Sequence, residues 1–441
     1  MNALLLNPSD TLFFKDGRPM SGSLAGHGAA WPLPTVGSAV LHAALHRAGD
    51  QFKDVHPHRR GRSSHRPENA ERDRKFGSLC TAGPFPVCTE GSSLAWFFPR
   101  PVDAAFAGST AASFLPLKKD FTASSLPSPL KFAVANTADP SKDPLKPWWN
   151  AAAWRAYLRT TNHGDSDGGI DFRFDSDFTD TEHAIGIGID PERQTQDGKR
   201  FYSAHYLRLR EGWRLGLLAE ANDKLDGQPD LKRDLLAELF PDHGTETSII
   251  VGGQQRICTV RRHGAAAFPL PLGRTDGFAE SNGKACIKWV LLTPAIFPQI
   301  GSHLGGWLPS WIDFKSGQVL LLDGPGSNSA RRHKLTPGTP IGARLVAAMV
   351  GKPVPVTGYA SDNGLEDRKP GPKPTHFAVP AGSVYYFECE APDARKLAAA
   401  LNWHGNDQKP TTIKNRRSTL MGEKGFGLGV CGTWDFCNNV R

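Results

Sequence analysis

Near its C-terminal end the chain reads Lys424-Gly425-Phe426-Gly427-Leu428-Gly429-Val430-Cys431-Gly432, and only nine residues follow. Gly427, Gly429 and Gly432 have the G-x-G-x-x-G spacing of a dinucleotide-binding loop. That loop works only between a strand and a helix, with the pyrophosphate on the helix N-terminus and a second strand beyond. Nine residues would leave no room for a helix and a strand, so a cofactor site is not expected here, and no cofactor is expected. Lys424 to Gly427 also match the first four positions of the RNA-recognition signature K/R-G-F/Y-G/A, but the rest of that signature fails. What remains is a glycine-rich loop entering a strand. Its bare backbone suits close approach to another backbone or a phosphate, or a tight bend that needs small residues.

A chain of 441 residues predicts roughly two to three domains with a sizeable core. No apolar run approaches the ~18 residues of a membrane span, and the N-terminal Met1 to Leu6 stretch lacks a basic leader and a cleavage site. No membrane association is expected. Seven cysteines, at 80, 88, 258, 286, 389, 431 and 437, are odd in number and lack C-x-x-C spacing. They read as reduced thiols of a cytoplasmic protein. Cys80 and Cys88 follow His56, His58 and His65, but at no zinc-ligand spacing, and no metal is expected.

The net charge of +8 resides in two places. Residues 53–75 hold eight Lys/Arg against four Asp/Glu, and residues 409–424 hold five against one. A local basic stripe is the footprint of a polyanionic partner. The first segment has almost no apolar residues and reads as a long flexible insertion. The second leads directly into the glycine loop.

Along the chain one pattern occurs twice. Leu4–Leu6 and Thr11–Phe14 read as strands around the Asn7-Pro8-Ser9-Asp10 turn, and a helix follows from Pro34 to about Arg47 with Thr35 as its N-cap. Residues 100–180 are poorly periodic and read as an insertion. Strands return at 184–189, 202–210 and 213–219. A helix is expected over 231–240, then strands at 249–251 and 256–260, split by Gly252-Gly253. A linker over 264–283 carries four glycines and two prolines. Strands then fall at 285–292, 318–322, 345–350, 375–379 and 383–389, a helix at 393–401 and a last strand at 427–434. Strand-helix-strand-strand-helix-strand, twice, is the split βαβ layout. The expected fold is α+β: two ferredoxin-like (RRM-like) domains in tandem. Domain boundaries are expected at 1–270, with insertions near 50–80 and 100–180, and at 271–441.

Catalytic motifs are missing: there is no H-E-x-x-H, no phosphate-binding P-loop and no G-x-S-x-G elbow. His42 and His46, four apart on the first helix, read as a half-buried helix face.

Several ordered segments resemble one family. Asp10-Thr11-Leu12-Phe13-Phe14-Lys15-Asp16-Gly17-Arg18-Pro19 and Trp31-Pro32-Leu33-Pro34-Thr35-Val36 are similar to the opening of the third Cmr subunit of type III-B CRISPR effectors, within the RAMP superfamily. Further segments of likeness are 182–190, Val251-Gly252-Gly253-Gln254-Gln255-Arg256, 291–297 and 379–387, and the C-terminal glycine loop resembles the superfamily's hallmark. Segment 53–75 falls in a variable region. His42 stands where the family often has an arginine.

The resemblance implies a non-catalytic subunit of the effector that caps the 5′ handle of the CRISPR RNA. It would sit against the large polymerase/cyclase-like subunit and the first backbone subunit. A single-stranded handle has splayed bases to be read and phosphates to be held by Lys, Arg and backbone N–H groups. The expected RNA contacts are Lys15 and Arg18 beside the first strand, Arg256 after the Gly252-Gly253 bend, and Lys414, Arg416, Arg417 and Lys424. Gly425, Gly427 and Gly429 would let the strand approach RNA or pack on the helix beneath. Phe426 would stack on a base or enter the core. The alternative is a metal-independent endoribonuclease of the same superfamily that cuts CRISPR precursor RNA with a histidine base.

Overall fold

Successive residues of a strand point to opposite faces, so the run Leu4-Leu5-Leu6 asks for a strand covered on both sides. β1 (Asn2–Pro8) has that environment: Leu4 and Leu6 enter one core and Leu5 another. The computed structural model describes residues 1–15, 31–48, 79–90, 93–107, 110–120, 125–136, 144–159, 169–190, 192–225, 228–241, 246–263, 268–299, 305–323, 339–360 and 371–437. Arg18 and the basic segment 53–75 lie outside the described residues.

After β1 come α1 (Pro34–Ala48), β2 (Cys80–Glu90), β3 (Ser93–Pro99), β4 (Trp148–Asn150), α2 (Ala151–Arg159) and β5 (Phe172–Arg173). A long hairpin of β6 (Thr179–Ile189) and β7 (Gln196–Leu209) follows, then β8 (Trp213–Glu220), α3 (Leu235–Leu239), β9 (Thr247–Ile250) and β10 (Ile257–His263). These strands, the hairpin apart, form one antiparallel sheet in the order β9-β10-β1-β8-β2-β3-β4-β5. A second antiparallel sheet holds β11 (Ala279–Ser281), β12 (Lys284–Leu291), β13 (Ala343–Met349), β14 (Val384–Glu390) and, after α4 (Ala394–Leu401), β15 (Gly429–Thr433). β15 and β11 share one edge of β12, while β14 and then β13 lie on the other. The chain is thus a strand-rich α/β protein of antiparallel sheets. No helix among the described residues is long and apolar enough to cross a membrane.

The two sheets face each other across a shared core. Leu5, Phe85, Val87 and Leu218 from the first sheet meet Val290, Val384, Tyr386 and Val430 from the second, with Trp154, Tyr157 and Leu158 of α2 between them. On the far side of the first sheet, Val40, Leu41 and Leu45 of α1 and Leu235 and Leu236 of α3 cover Leu4, Leu6, Leu215 and Leu217. On the far side of the second, Leu397, Ala398 and Leu401 of α4 cover Ile287, Trp289, Tyr385 and Phe387. The order of layers is helices, sheet, sheet, helix. β12 and β14 therefore bury both faces and carry near-continuous apolar sequence.

Within the buried part of β12 Lys288 breaks that run, and it points into the shared core with 2 % exposure. Its Nζ lies 3.4 Å from Asp103 Oδ2 and 3.7 Å from the centroid of the Tyr157 ring. The Tyr157 hydroxyl donates to Asp103 Oδ1 at 2.6 Å, and the Tyr386 hydroxyl to Oδ2 at 3.1 Å. Asp103 is itself fully buried. Burial pushes the Lys288 ammonium below its ordinary value, and the Asp103 carboxylate opposes that shift. The ion pair ties a segment of the first half to the second sheet.

Several local expectations change. Residues 11–14 form no strand, Leu12 making an isolated bridge to Leu207, and within 318–322 Gln318 and Val319 make isolated bridges before a two-residue strand at Leu322–Asp323. The helix expected over 231–240 is only Leu235–Leu239, because residues 228–234 pair with 222–225 as a strand. Asp234 caps the short helix, accepting from the Leu236 and Ala237 N–H groups. α1 begins at Pro34, so Thr35 lies inside its first turn rather than at the cap. The 100–180 stretch includes α2, whose Trp154, Tyr157 and Leu158 belong to the shared core.

Candidate nucleic-acid interface

The loop between β9 and β10 is a six-residue turn built from Val251 to Arg256. The Val251 N–H donates to the Arg256 carbonyl at 2.7 Å, and Gly252, Gln254 and Gln255 all adopt positive φ. Gly252 also has no room for a side chain: a Cβ there would lie 2.5 Å from the Phe13 carbonyl oxygen. The Gly253 N–H donates to that same oxygen at 2.8 Å, fixing the turn on the segment that follows β1. Leu12 and Leu207 exchange backbone hydrogen bonds of 2.7 and 2.8 Å, bringing β7 alongside.

The result is a surface where three chain segments meet. The Phe13 and Tyr206 rings are 5.6 Å apart, and the Arg256 guanidinium lies 5.0 Å from the Tyr206 ring centroid. The Tyr206 hydroxyl donates to Gln254 Oε1 at 2.8 Å. Asp10 bridges two arginines: Oδ1 accepts from Arg208 Nη2 at 2.8 Å, and Oδ2 lies 3.4 Å from Arg256 Nη1. Arg208 also pairs with Glu182, and Arg210 pairs with Asp180 at 2.7 Å. The Arg208 hydrogen bond, with the Arg208 and Arg256 charges, holds the Asp10 carboxyl below its usual range. Arg256 Nε is buried and has no hydrogen-bond partner among the described residues. Lys15 is exposed just beyond Phe13 and Phe14. Beside Asp10 opens a cleft of about 230 Å³, lined by Asn7, Ser9 and Asp10 and by Arg208, Arg210, Glu211 and Arg214.

Four of the expected contacts, Lys15, Gly252, Gly253 and Arg256, thus come together. Tyr206, Arg208 and Arg210 were missed. Their signal was present in Tyr206-x-Arg208-x-Arg210, a period of two that puts all three on one strand face.

The C-terminal group divides differently. Lys414 is exposed and pairs with Asp407 at 3.0 Å. Arg416 is half-buried against Gly422, in the turn that carries Lys424. Its Nη1 donates to the Ile413 carbonyl at 3.3 Å, while Nε and Nη2 are buried with no hydrogen-bond partner among the described residues. Arg417 corrects the expectation of a phosphate contact. It is buried, its Nε donates to the Ala400 carbonyl, and burial pushes its guanidinium down to about 10. Phe426 is fully buried beside Ile296, Val356 and Ala378, so it packs in a core and is not available to a base.

The glycines serve the same packing. A Cβ at Gly425 would lie 2.8 Å from the Thr81 carbonyl oxygen. One at Gly427, where φ is +77°, would run into the Ser418 backbone nitrogen, and one at Gly429 into the Trp289 indole. The hallmark loop approaches protein backbone, not solvent.

No group of three or more His, Cys, Asp or Glu side chains suited to a metal occurs among the described residues. Cys80 is half-buried and Cys88 buried; the three histidines considered with them lie outside the described residues.

The family model of the CRISPR-associated protein Cas_Cmr3 matches residues 4–434. The chain belongs to that family. The likeness to the third Cmr subunit of type III-B effectors, drawn from short segments, therefore extends over nearly the whole of this chain. No curated protein matches it in sequence. Among solved structures, it is similar to a chain of the type III-B Cmr-beta complex bound to cognate target RNA and AMPPnP. The identity is 12 %, the TM-score 0.40, and the coverage 90 % of this chain and 87 % of that one. A chain of Cmr-beta bound to cognate target RNA is similar at the same identity and TM-score, over 87 % and 86 %. At that similarity the likeness says nothing about ligands.

Proposed function

We propose that this Cas_Cmr3-family chain is a non-catalytic subunit of a type III-B CRISPR effector in the cytoplasm, that it caps the 5′ handle of the CRISPR RNA, and that it docks the large polymerase/cyclase-like subunit and the first backbone subunit. The observation that carries the RNA reading is the surface at Phe13, Tyr206 and Arg256. Aromatic rings beside arginines suit single-stranded RNA, whose bases stack while its phosphates meet cations. Lys15 extends that surface. Arg416, whose Nε and Nη2 have no hydrogen-bond partner among the described residues, and Lys424 form a second cationic group beside the glycine loop.

The frame for this role is a tandem of two ferredoxin-like units, 1–270 and 271–441. In support, β10-β1-β8-β2 and β15-β12-β14-β13 each place their strands, numbered along the chain, in the order fourth, first, third, second. Helices α1 and α3 fill both crossovers of the first unit, and α4 fills the second crossover of the other.

Charge reversal Arg256→Glu in the purified chain, with a single-stranded RNA of the host repeat as probe, tests the RNA reading. Binding weakens and the salt slope becomes shallower if Arg256 holds a phosphate. Unchanged affinity and slope remove this surface from the RNA site. Metal-independent cleavage of the probe would favour the endoribonuclease instead.

A further inference from the structure

The most informative feature of the surface is the anion already in it. One carboxylate, Asp10, spans Arg208 from β7 and Arg256 from the turn just before β10. Two arginines around one anion is the geometry in which such side chains receive a phosphate. Asp10 stands 56 % exposed at the mouth of the 230 Å³ cleft, so water and ligand reach it. Arg256 is incompletely satisfied: its contacts to Asp10 and Gln254 are 3.4 and 3.5 Å, and Nε has no hydrogen-bond partner among the described residues. The nearby Arg210 has its own carboxylate, Asp180.

We propose that Asp10 is a built-in stand-in for phosphate, holding Arg208 and Arg256 in a receptive arrangement until a phosphodiester of single-stranded RNA displaces it from between them. The inference rests on the RNA reading of this surface and adds how binding there is regulated. A bridging carboxylate keeps the two arginines from collecting unselected anions. It also makes binding an exchange, in which RNA must replace a contact already made. Exposed ion pairs of this kind are weak, so the exchange is easily driven by a strand anchored elsewhere on the protein.

The exchange has a specific signature. In the wild type the displaced Asp10 carboxylate stays nearby and offsets one arginine charge, so fewer counterions leave the RNA than when that carboxylate is neutral. Asn at position 10 leaves Arg256, and the Nη2 side of Arg208 that Glu182 does not hold, to phosphate. It retains a side-chain acceptor for the Thr11 N–H that the carboxylate accepts. The test is RNA affinity across a salt series for four full-length proteins: wild type, Asp10→Asn, Arg256→Glu and Glu246→Gln. Glu246 pairs with Arg261 away from the cleft, so its substitution makes the same charge change elsewhere.

The expected result is binding about 3–10-fold tighter for Asp10→Asn, with the slope of log K against log salt steeper by about 0.7, the value for one further single-strand phosphate. Glu246→Gln should leave both near wild type, and Arg256→Glu should weaken binding. If Arg256→Glu weakens binding but Asp10→Asn changes neither affinity nor slope, the stand-in role is wrong and the RNA reading stands. If Asp10→Asn and Glu246→Gln tighten binding equally, only net charge is at work and the inference is overturned. If neither Asp10→Asn nor Arg256→Glu has any effect, both inference and RNA reading fall.

Discussion

Substituting Asp103 by Ala leaves the Lys288 ammonium in the shared core without its carboxylate, and removes an acceptor from Tyr157 and Tyr386. Removing one partner of a buried ion pair costs about 3–5 kcal/mol. The upper end has an independent bound, because Lys288 can escape by losing its proton. Its ordinary value is 10.5, so neutralising it at pH 7 costs about 5 kcal/mol at about 1.4 kcal/mol per unit. A neutral Lys288 in the folded variant also fixes the sign of the pH dependence. The unfolded chain then binds one more proton than the folded one until the pH reaches 10.5, so variant stability rises with pH. Guanidinium denaturation of Asp103→Ala should show a deficit of about 3–5 kcal/mol at pH 7, shrinking by about 2–3 kcal/mol at pH 9. The double substitution Asp103→Leu with Lys288→Met should recover most of the loss, since a well-packed apolar pair replaces a buried ionic one at little net cost. A deficit under about 1 kcal/mol, or one unchanged between pH 7 and pH 9, would refute the view that this pair couples the two sheets.

Other expectations separate fold from surface. Gly427→Val should yield insoluble or strongly destabilised protein, by at least about 3 kcal/mol, because φ is positive and the new side chain meets the Ser418 backbone; soluble protein of wild-type stability would contradict it. Arg417→Gln should lower stability by about 2–4 kcal/mol, by removing the donor to the Ala400 carbonyl from a buried site. Arg416→Gln should leave the denaturation midpoint near wild type and weaken RNA binding several-fold; the reverse pattern would exchange their roles. His404 is buried: its Nε2 accepts from the Gly273 N–H, so Nδ1–H donates to the Asp407 carbonyl. Burial depresses its value below 6.5, so the unfolded chain takes up a proton that the folded one refuses. Stability is full above pH 6.5 and falls as the pH drops below it, toward the depressed folded value. His404→Gln should flatten that slope in urea midpoints between pH 7 and 5, ahead of the carboxylate range.

The sequence was most legible where one local signal decides one structure. β1, α1, the 383–389 strand and the 393–401 helix follow from period and turn residues, and Gly252-Gly253 marked a bend that brings Arg256 to a surface. Elsewhere the deciding forces are tertiary. Leu231, Leu235, Leu236, Leu239 and Phe240 carry a helix-like apolar spacing, yet pairing of 228–234 with 222–225 makes the first part of that stretch a strand. α2 lies in a stretch whose Pro, Ser, Asp and Gly content masks Trp154, Tyr157 and Leu158 at helical spacing, and only the shared core gives that spacing its meaning. Charge counting found the 409–424 stretch but could not distinguish Arg416 from Arg417. Adjacent residues of extended chain face opposite ways, and only packing tells which way is in. The glycine loop raised the same choice between phosphate and backbone, and Thr81 and Ser418 occupy the space on the protein side.

The central claim is that this subunit holds the 5′ handle of a CRISPR RNA at the surface around Phe13, Tyr206 and Arg256. Ultraviolet crosslinking of the tagged protein in its native host tests it most directly, with sequencing of the attached RNA and mapping of the attached peptides. The account predicts mature CRISPR RNA crosslinked through its 5′ handle, on peptides carrying Phe13 or Tyr206. Uncut precursor centred on a cleavage point, or partner subunits recovered with no RNA attached to this chain, would contradict it.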